Sequence, residues 1–124
     1  KTYRCLVAGR PEKPEGVLTA YLLKDAAGAR VREAAAHAPG ALRATMGYRL
    51  IEPRRECSLI EIDLGTGRTH QIRAQMALIG HPVVGDDKYG DRSLNRRLKA
   101  AHPALWCARL QLADGRAFSS EPDF

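Results

Sequence analysis

The sequence predicts an α+β domain built on a mixed, mostly antiparallel sheet with few helices. Three observations carry this reading. Apolar and polar residues alternate in several short runs before residue 65, each bounded by turn residues. One segment, residues 70–79, changes to a helical period. Alternation then returns after residue 105, so strands flank an isolated helix. A length of 124 residues fits one domain spanning residues 1–124.

Tyr3 to Val7 reads as a short strand ended by Gly9-Arg10-Pro11. After a proline-punctuated loop, Val17 to Leu23 reads as a second strand, and Lys24-Asp25-Ala26-Ala27-Gly28 as the turn that ends it. Residues 29–40 are alanine-rich but show no apolar stripe, so their conformation stays open. Leu42 to Ile51 and Cys57 to Leu64 alternate cleanly and predict a hairpin across Pro53-Arg54-Arg55-Glu56. Ile72, Met76 and Ile79 recur at i, i+4, i+7 and predict a helix over 70–79, capped by Thr69 and stopped by Gly80 before His81-Pro82. Leu94 to Ala101 fits a short helix, and Trp106 to Leu112 with Arg116 to Ser119 fit a hairpin turning at Ala113-Asp114-Gly115.

Composition narrows the function classes. The apolar runs are too short for a transmembrane helix, so no membrane partner is expected, and the N-terminus shows no signal-peptide h-region. Three cysteines without Cys-x-x-Cys spacing predict buried free thiols and a reducing, cytoplasmic setting. The four histidines have neither paired nor zinc-type spacing, which argues against a metal site. No Gly-x-Ser-x-Gly turn surrounds Ser119-Ser120, and the adjacent Asp86-Asp87 reads as turn geometry. Twenty basic against fourteen acidic residues leave a net charge of +6, which favours a polyanionic partner, nucleic acid first.

Polar chemistry concentrates in Gly65-Thr66-Gly67-Arg68-Thr69-His70-Gln71-Ile72-Arg73, a glycine-flexed turn leading into the helix. Such a turn brings backbone close to a ligand, and Arg73 lies where a guanidinium can hold a carboxylate or phosphate in fork geometry. It lacks the Gly-Lys-Ser/Thr of a nucleotide-hydrolysing loop. Without a ligand, the same residues read as a polar strand-to-helix connection.

The stretch Leu64 to Arg73, followed by Leu78-Ile79-Gly80-His81-Pro82-Val83-Val84-Gly85-Asp86 and Tyr89-Gly90, closely resembles the RluA-type family of RNA pseudouridine synthases. Lys1-Thr2-Tyr3-Arg4-Cys5 is similar to that family's Lys-x-Tyr-x-Ala segment, and Phe118 to Phe124 to its last strand and tail. The resemblance implies the pseudouridine synthase fold and an isomerase that converts uridine in RNA to its C-glycosidic isomer without a cofactor. Residues 85–91, with Asn95-Arg96, look more like members acting on large-subunit ribosomal RNA than on transfer RNA. By the same resemblance Tyr3 packs on the flipped base and Arg73 pairs with a catalytic aspartate, while Arg68, His70 and Gln71 belong to the RNA-binding motif.

That aspartate stands in a His-Arg-Leu-Asp segment upstream of the tyrosine, and none of Asp25, Asp63, Asp86, Asp87, Asp91, Asp114 or Asp123 has a matching context. The expectation is therefore the C-terminal portion of a catalytic domain, inactive alone, whose open sheet edge calls for the missing N-terminal half or a partner chain. A non-catalytic RNA-binding module is the alternative, and a purely structural interaction domain a third.

Overall fold

The computed structural model describes residues 2–25, 30–111 and 117–119. In chain order the elements are strands β1 (Thr2–Ala8), β2 (Glu15–Lys24), β3 (Val31–Glu33), β4 (Leu42–Pro53) and β5 (Cys57–Leu64), helices α1 (Gln71–Leu78) and α2 (Arg92–Arg97), then strands β6 (Leu105–Gln111) and β7 (Ala117–Ser119). The strands form one seven-stranded sheet in the order β3-β2-β4-β5-β1-β6-β7. The α+β class holds, and the expected hairpin is the β4–β5 pair, with Tyr48 opposite Ile62. The ambiguous 29–40 segment contributes the short edge strand β3. The turn expected at residues 113–115 lies outside the described residues, as do residues 26–28 of the turn after β2.

The mixed sheet is corrected. Every strand pairing among the described residues is antiparallel. β5 and β6 do run in the same direction, but β1 lies between them and pairs antiparallel with both. The long connection through α1 and α2 therefore crosses over a strand already in place, and no parallel ladder forms.

Alternation decides what each face buries. On one face Cys5, Val7, Met46, Tyr48, Ile60 and Ile62 pack against Ile72 and Met76 of α1. On the other, Leu6 and Cys57 meet Val84 and Leu94 of α2. Ile79, expected to extend the helical stripe, is instead the C-cap residue and is exposed. Cys5 and Cys57 are buried as expected, whereas Cys107 is exposed, because its strand position points to solvent. Burial pushes the Cys5 thiol far above its usual range, so it is chemically quiet.

Two turns set the path after α1. Gly80, at φ 86°, closes the helix in a Schellman motif: its N–H donates to the Ala77 carbonyl and the His81 N–H to the Met76 carbonyl. His81 then donates from Nδ1 to the Ala8 carbonyl at 2.8 Å, which fastens the chain to the end of β1. Val83 bridges Val7, and Gly85, also at φ 86°, turns the chain towards α2. A Cβ at Gly85 would collide with the His102 carbonyl. Gly85→Ala is expected to cost about 2 kcal/mol or more in urea unfolding. An unchanged midpoint would show that this turn is not constrained.

Candidate functional site

The loop between β5 and α1 is fastened to one peptide of β4. The Thr45 carbonyl accepts the Gly65 N–H at 3.0 Å and Gln71 Nε2 at 3.0 Å, and the Thr45 N–H donates to Thr66 Oγ1 at 3.0 Å. Gln71 Oε1 in turn accepts from Thr66 Oγ1 at 2.8 Å and from the Arg68 N–H at 2.9 Å. Gln71 is 3% exposed. Its side chain shapes the loop that borders the cleft it also lines. Thr69 does not cap α1. The N-cap is His70, in the left-handed region at φ 51°, with no side-chain cap. The Gln71 amide makes that entry possible, because it ties down the loop which a capping hydroxyl would otherwise close.

Arg73, one turn further on, meets a partner that sequence reasoning missed. Its Nε donates to Asp86 Oδ2 at 2.7 Å and its Nη2 to Asp86 Oδ1 at 2.9 Å, a two-point fork. Asp86 Oδ1 also accepts the backbone N–H groups of Lys88 at 2.9 Å and Tyr89 at 3.1 Å. Asp86 is fully buried and Arg73 is 19% exposed. Burial alone would raise the carboxyl, but the Arg73 fork and the two amides outweigh it and hold Asp86 below the usual carboxylate range. The same fork raises Arg73 further above its ordinary value. Asp86 does serve turn geometry, as its neighbourhood suggests, and also anchors the guanidinium.

Tyr89 completes the cluster. Its ring lies under the Arg73 guanidinium at 5.4 Å and the Arg30 guanidinium at 4.9 Å. Its hydroxyl accepts the Val31 N–H at 2.9 Å, which leaves its own proton for His70 Nδ1 at 3.0 Å. Burial, then the charges of Arg73 and Lys88, hold His70 below the usual imidazole range. A neutral His70 accepting at Nδ1 carries its hydrogen on Nε2.

All five residues singled out in the sequence, Tyr3, Arg68, His70, Gln71 and Arg73, line one cleft of about 320 Å³. Leu64 and Leu105 supply apolar walls, and Arg68 is held across the rim by its Nε donating to the Arg43 carbonyl at 2.9 Å. Among the described residues no carboxylate lines the cleft. Asp86 stands behind Arg73, out of the cleft, with both oxygens occupied. Among the described residues no three metal-ligating side chains come together. The cleft thus offers an aromatic face, a fixed guanidinium and an imidazole, with no carboxylate nucleophile among the described residues.

A sequence model of the family described as RNA pseudouridylate synthase matches residues 1–78. The chain belongs to this family. It is 41% identical over 92 residues to an uncharacterized RNA pseudouridine synthase of Chloroflexus aurantiacus, covering 74% of this chain and 28% of that protein. It is 39% identical over 105 residues to the ribosomal large subunit pseudouridine synthase D of Zymomonas mobilis, covering 85% of this chain and 31% of that one. The chain therefore spans about a third of the length of these curated relatives. Human RNA pseudouridylate synthase domain containing 1 shares the fold with a TM-score of 0.78 at 22% identity, over 98% of this chain and 54% of that one.

The Asp86 fork has a pH signature. A carboxyl whose folded pKa lies below its unfolded value of about 3.9 stabilises the fold fully above that value, and the gain is lost as pH falls through the folded pKa. Stability of the wild type is expected to drop steeply below about pH 4. Asp86→Asn should flatten that acid limb while costing about 3 kcal/mol at neutral pH, because Arg73 loses its counter-charge. Parallel unfolding curves for the two proteins between pH 2 and 7 would contradict the assignment.

Proposed function

We propose that the intact protein is an RNA pseudouridine synthase that isomerises uridine to pseudouridine in ribosomal RNA, and that residues 1–124 form part of its catalytic domain. The reaction breaks the N1–C1′ bond, forms the C5–C1′ bond and releases the C5 proton while N1 takes one up from solvent, so it needs a flipped base and a held carboxylate rather than a cofactor. One observation carries the reading: Arg73 faces a cleft that also holds Tyr3, His70 and Arg68, with its orientation set from behind by Asp86. Nε and Nη2 are taken by Asp86, whereas Nη1 makes no hydrogen bond with a described residue. A second carboxylate, supplied from outside these residues, can dock there and be kept ionised. Tyr3 supplies the face on which an extruded base packs, which offsets part of the few kcal/mol that unstacking costs.

Relatives named for the ribosomal large subunit support ribosomal RNA as the substrate. A cytoplasmic setting is proposed with it, supported by three cysteines that form no disulfide. No helix among the described residues is long and apolar enough to cross a membrane. That no described residue places a carboxylate in the cleft favours a second reading, a module that binds RNA without chemistry.

The test is pseudouridine formation on a ribosomal RNA transcript, read by release of the C5 hydrogen. The intact protein is expected to turn over, and residues 1–124 alone to bind RNA without product. Arg73→Lys in the intact protein should lower the rate about 100-fold, since a lysine cannot reproduce the planar two-point contact. Tyr3→Phe should keep most activity and Tyr3→Ala lose it, because packing rather than the hydroxyl serves the base. RNA binding by the intact protein without isomerisation would establish the module instead. Full activity of a folded Arg73→Lys variant would remove that residue from the site.

A further inference from the structure

We propose that the cleft beside α2 is a second RNA-contact site, which takes backbone phosphates of the strand outside the target nucleotide. This rests on the RNA-modifying reading above and extends it to residues that reading does not use. The cleft has a volume of about 670 Å³ and shares no lining residue with the Tyr3–Arg73 cleft. Arg92, Arg96 and Lys99 line it, all exposed, against one carboxylate, Asp87.

The basic residues around α2 divide by what they do in the fold. Arg97 is committed, with Nε donating to Glu56 at 3.4 Å and Nη1 to Ser93 at 3.0 Å. Arg96 and Lys99 make no side-chain hydrogen bond or ion pair with any described residue. Three cations are thus gathered in one concavity, and two of them contribute nothing visible to stability.

Lys99 also occupies a position that physics assigns to another residue. α2 ends as α1 does, in a Schellman motif: the Lys99 N–H donates to the Arg96 carbonyl at 3.2 Å and the Ala100 N–H to the Asn95 carbonyl at 2.9 Å. In α1 the left-handed position is filled by Gly80, but in α2 it is filled by Lys99 at φ 54°. A side chain there strains the backbone, and strain of this kind collects at functional sites. The lysine's cation is what glycine would lack.

The floor of the cleft connects it to the catalytic side. Asn95, 5% exposed, accepts the Gly85 N–H at 2.7 Å and donates from Nδ2 to the Asp86 carbonyl at 3.2 Å. A polyanion held by Arg96 and Lys99 therefore rests against the loop that fixes Arg73. No aromatic residue among those described lines the cleft, so they offer charge and no stacking surface for a base. That chemistry suits successive phosphates, which position a strand without reading its sequence.

The test is the affinity of the intact protein for a ribosomal RNA transcript across a salt series, for wild type, Arg96→Ala, Lys99→Gly and, as a control on net charge, Arg97→Ala. Wild type should give a steep negative slope of log affinity against log salt. Arg96→Ala and Lys99→Gly should each make that slope shallower by roughly one contact, 0.7 to 0.9, and weaken binding several-fold at 0.1 M salt. Arg97→Ala should leave the slope near wild type. Lys99→Gly should melt no lower than wild type, because glycine relieves the left-handed strain, so its loss of affinity cannot come from misfolding. Unchanged slopes in both cleft variants, or an equal loss in Arg97→Ala, would overturn the second site and leave the isomerase reading standing. Binding of polyglutamate lost in the variants with RNA binding intact would overturn it in favour of an acidic protein. A wild type with no salt-dependent RNA affinity would overturn the underlying reading itself.

Discussion

A carboxylate with no contact to solvent has to find donors inside the protein, and Asp86 collects four: two from Arg73 and two from its own loop. Much of the molecule is arranged around that requirement. Gly85 turns the chain so that Asp86 points inwards, and Asn95 holds the turn from the α2 side. Tyr89, brought round by the same loop, lies under the Arg73 guanidinium and reaches both β3 and His70. The arginine is therefore fixed by a fork, an aromatic face and a helix. A side chain with so many rotatable bonds gains its precision from that enclosure, which removes the entropy before any ligand arrives.

The enclosure also explains a division between the two sides of the loop. Towards β1 it presents a fixed guanidinium in a partly apolar cleft, where a half-buried contact is screened less than an exposed one. Towards α2 the cations are exposed over a floor that includes the Asn95 amide, where contacts are individually weak and screened by salt. The connection from β5 to β6, residues 65–104, thus carries both groups of basic side chains, one enclosed and one exposed.

Much of this was legible in the sequence. The clean alternation of Ser58, Ile60 and Ile62 against Leu59, Glu61 and Asp63 placed β5 and its faces, and the change of period at Ile72 and Met76 placed α1. Motif resemblance gathered Tyr3, Arg68, His70, Gln71 and Arg73, and the fold brings all five to one cleft. Non-local partners were not legible. Asp86 sits thirteen residues from Arg73 in a segment rich in turn formers, and nothing local distinguishes a buried turn aspartate from a solvated one. Its position directly after Val83-Val84 and Gly85 was the available hint, since a carboxylate following a buried apolar pair needs a counter-charge. The structural share of Gln71 was hidden for the same reason: the Thr45 peptide it ties down lies twenty-six residues away. The insertion of β1 between β5 and β6, which excludes a parallel ladder, is likewise a long-range decision with no local trace.

That insertion constrains the order in which these strands can pair. β1 precedes the other six in the sequence, yet its neighbours are residues 57–63 on one side and 105–109 on the other. As the chain emerges during synthesis, the β2–β4 and β4–β5 hairpins can close from sequence-local contacts while β1 waits with both edges bare. Only when β5 is complete does the first edge find a partner, and the second stays open until the whole helical crossover has been made. Cys5 and Val7, among the most deeply buried residues of the finished core, are thus exposed longest on the way to it. The strand that carries Tyr3 therefore keeps one edge bare until β6 is made, and the cleft, which Leu105 of β6 walls, is complete only then.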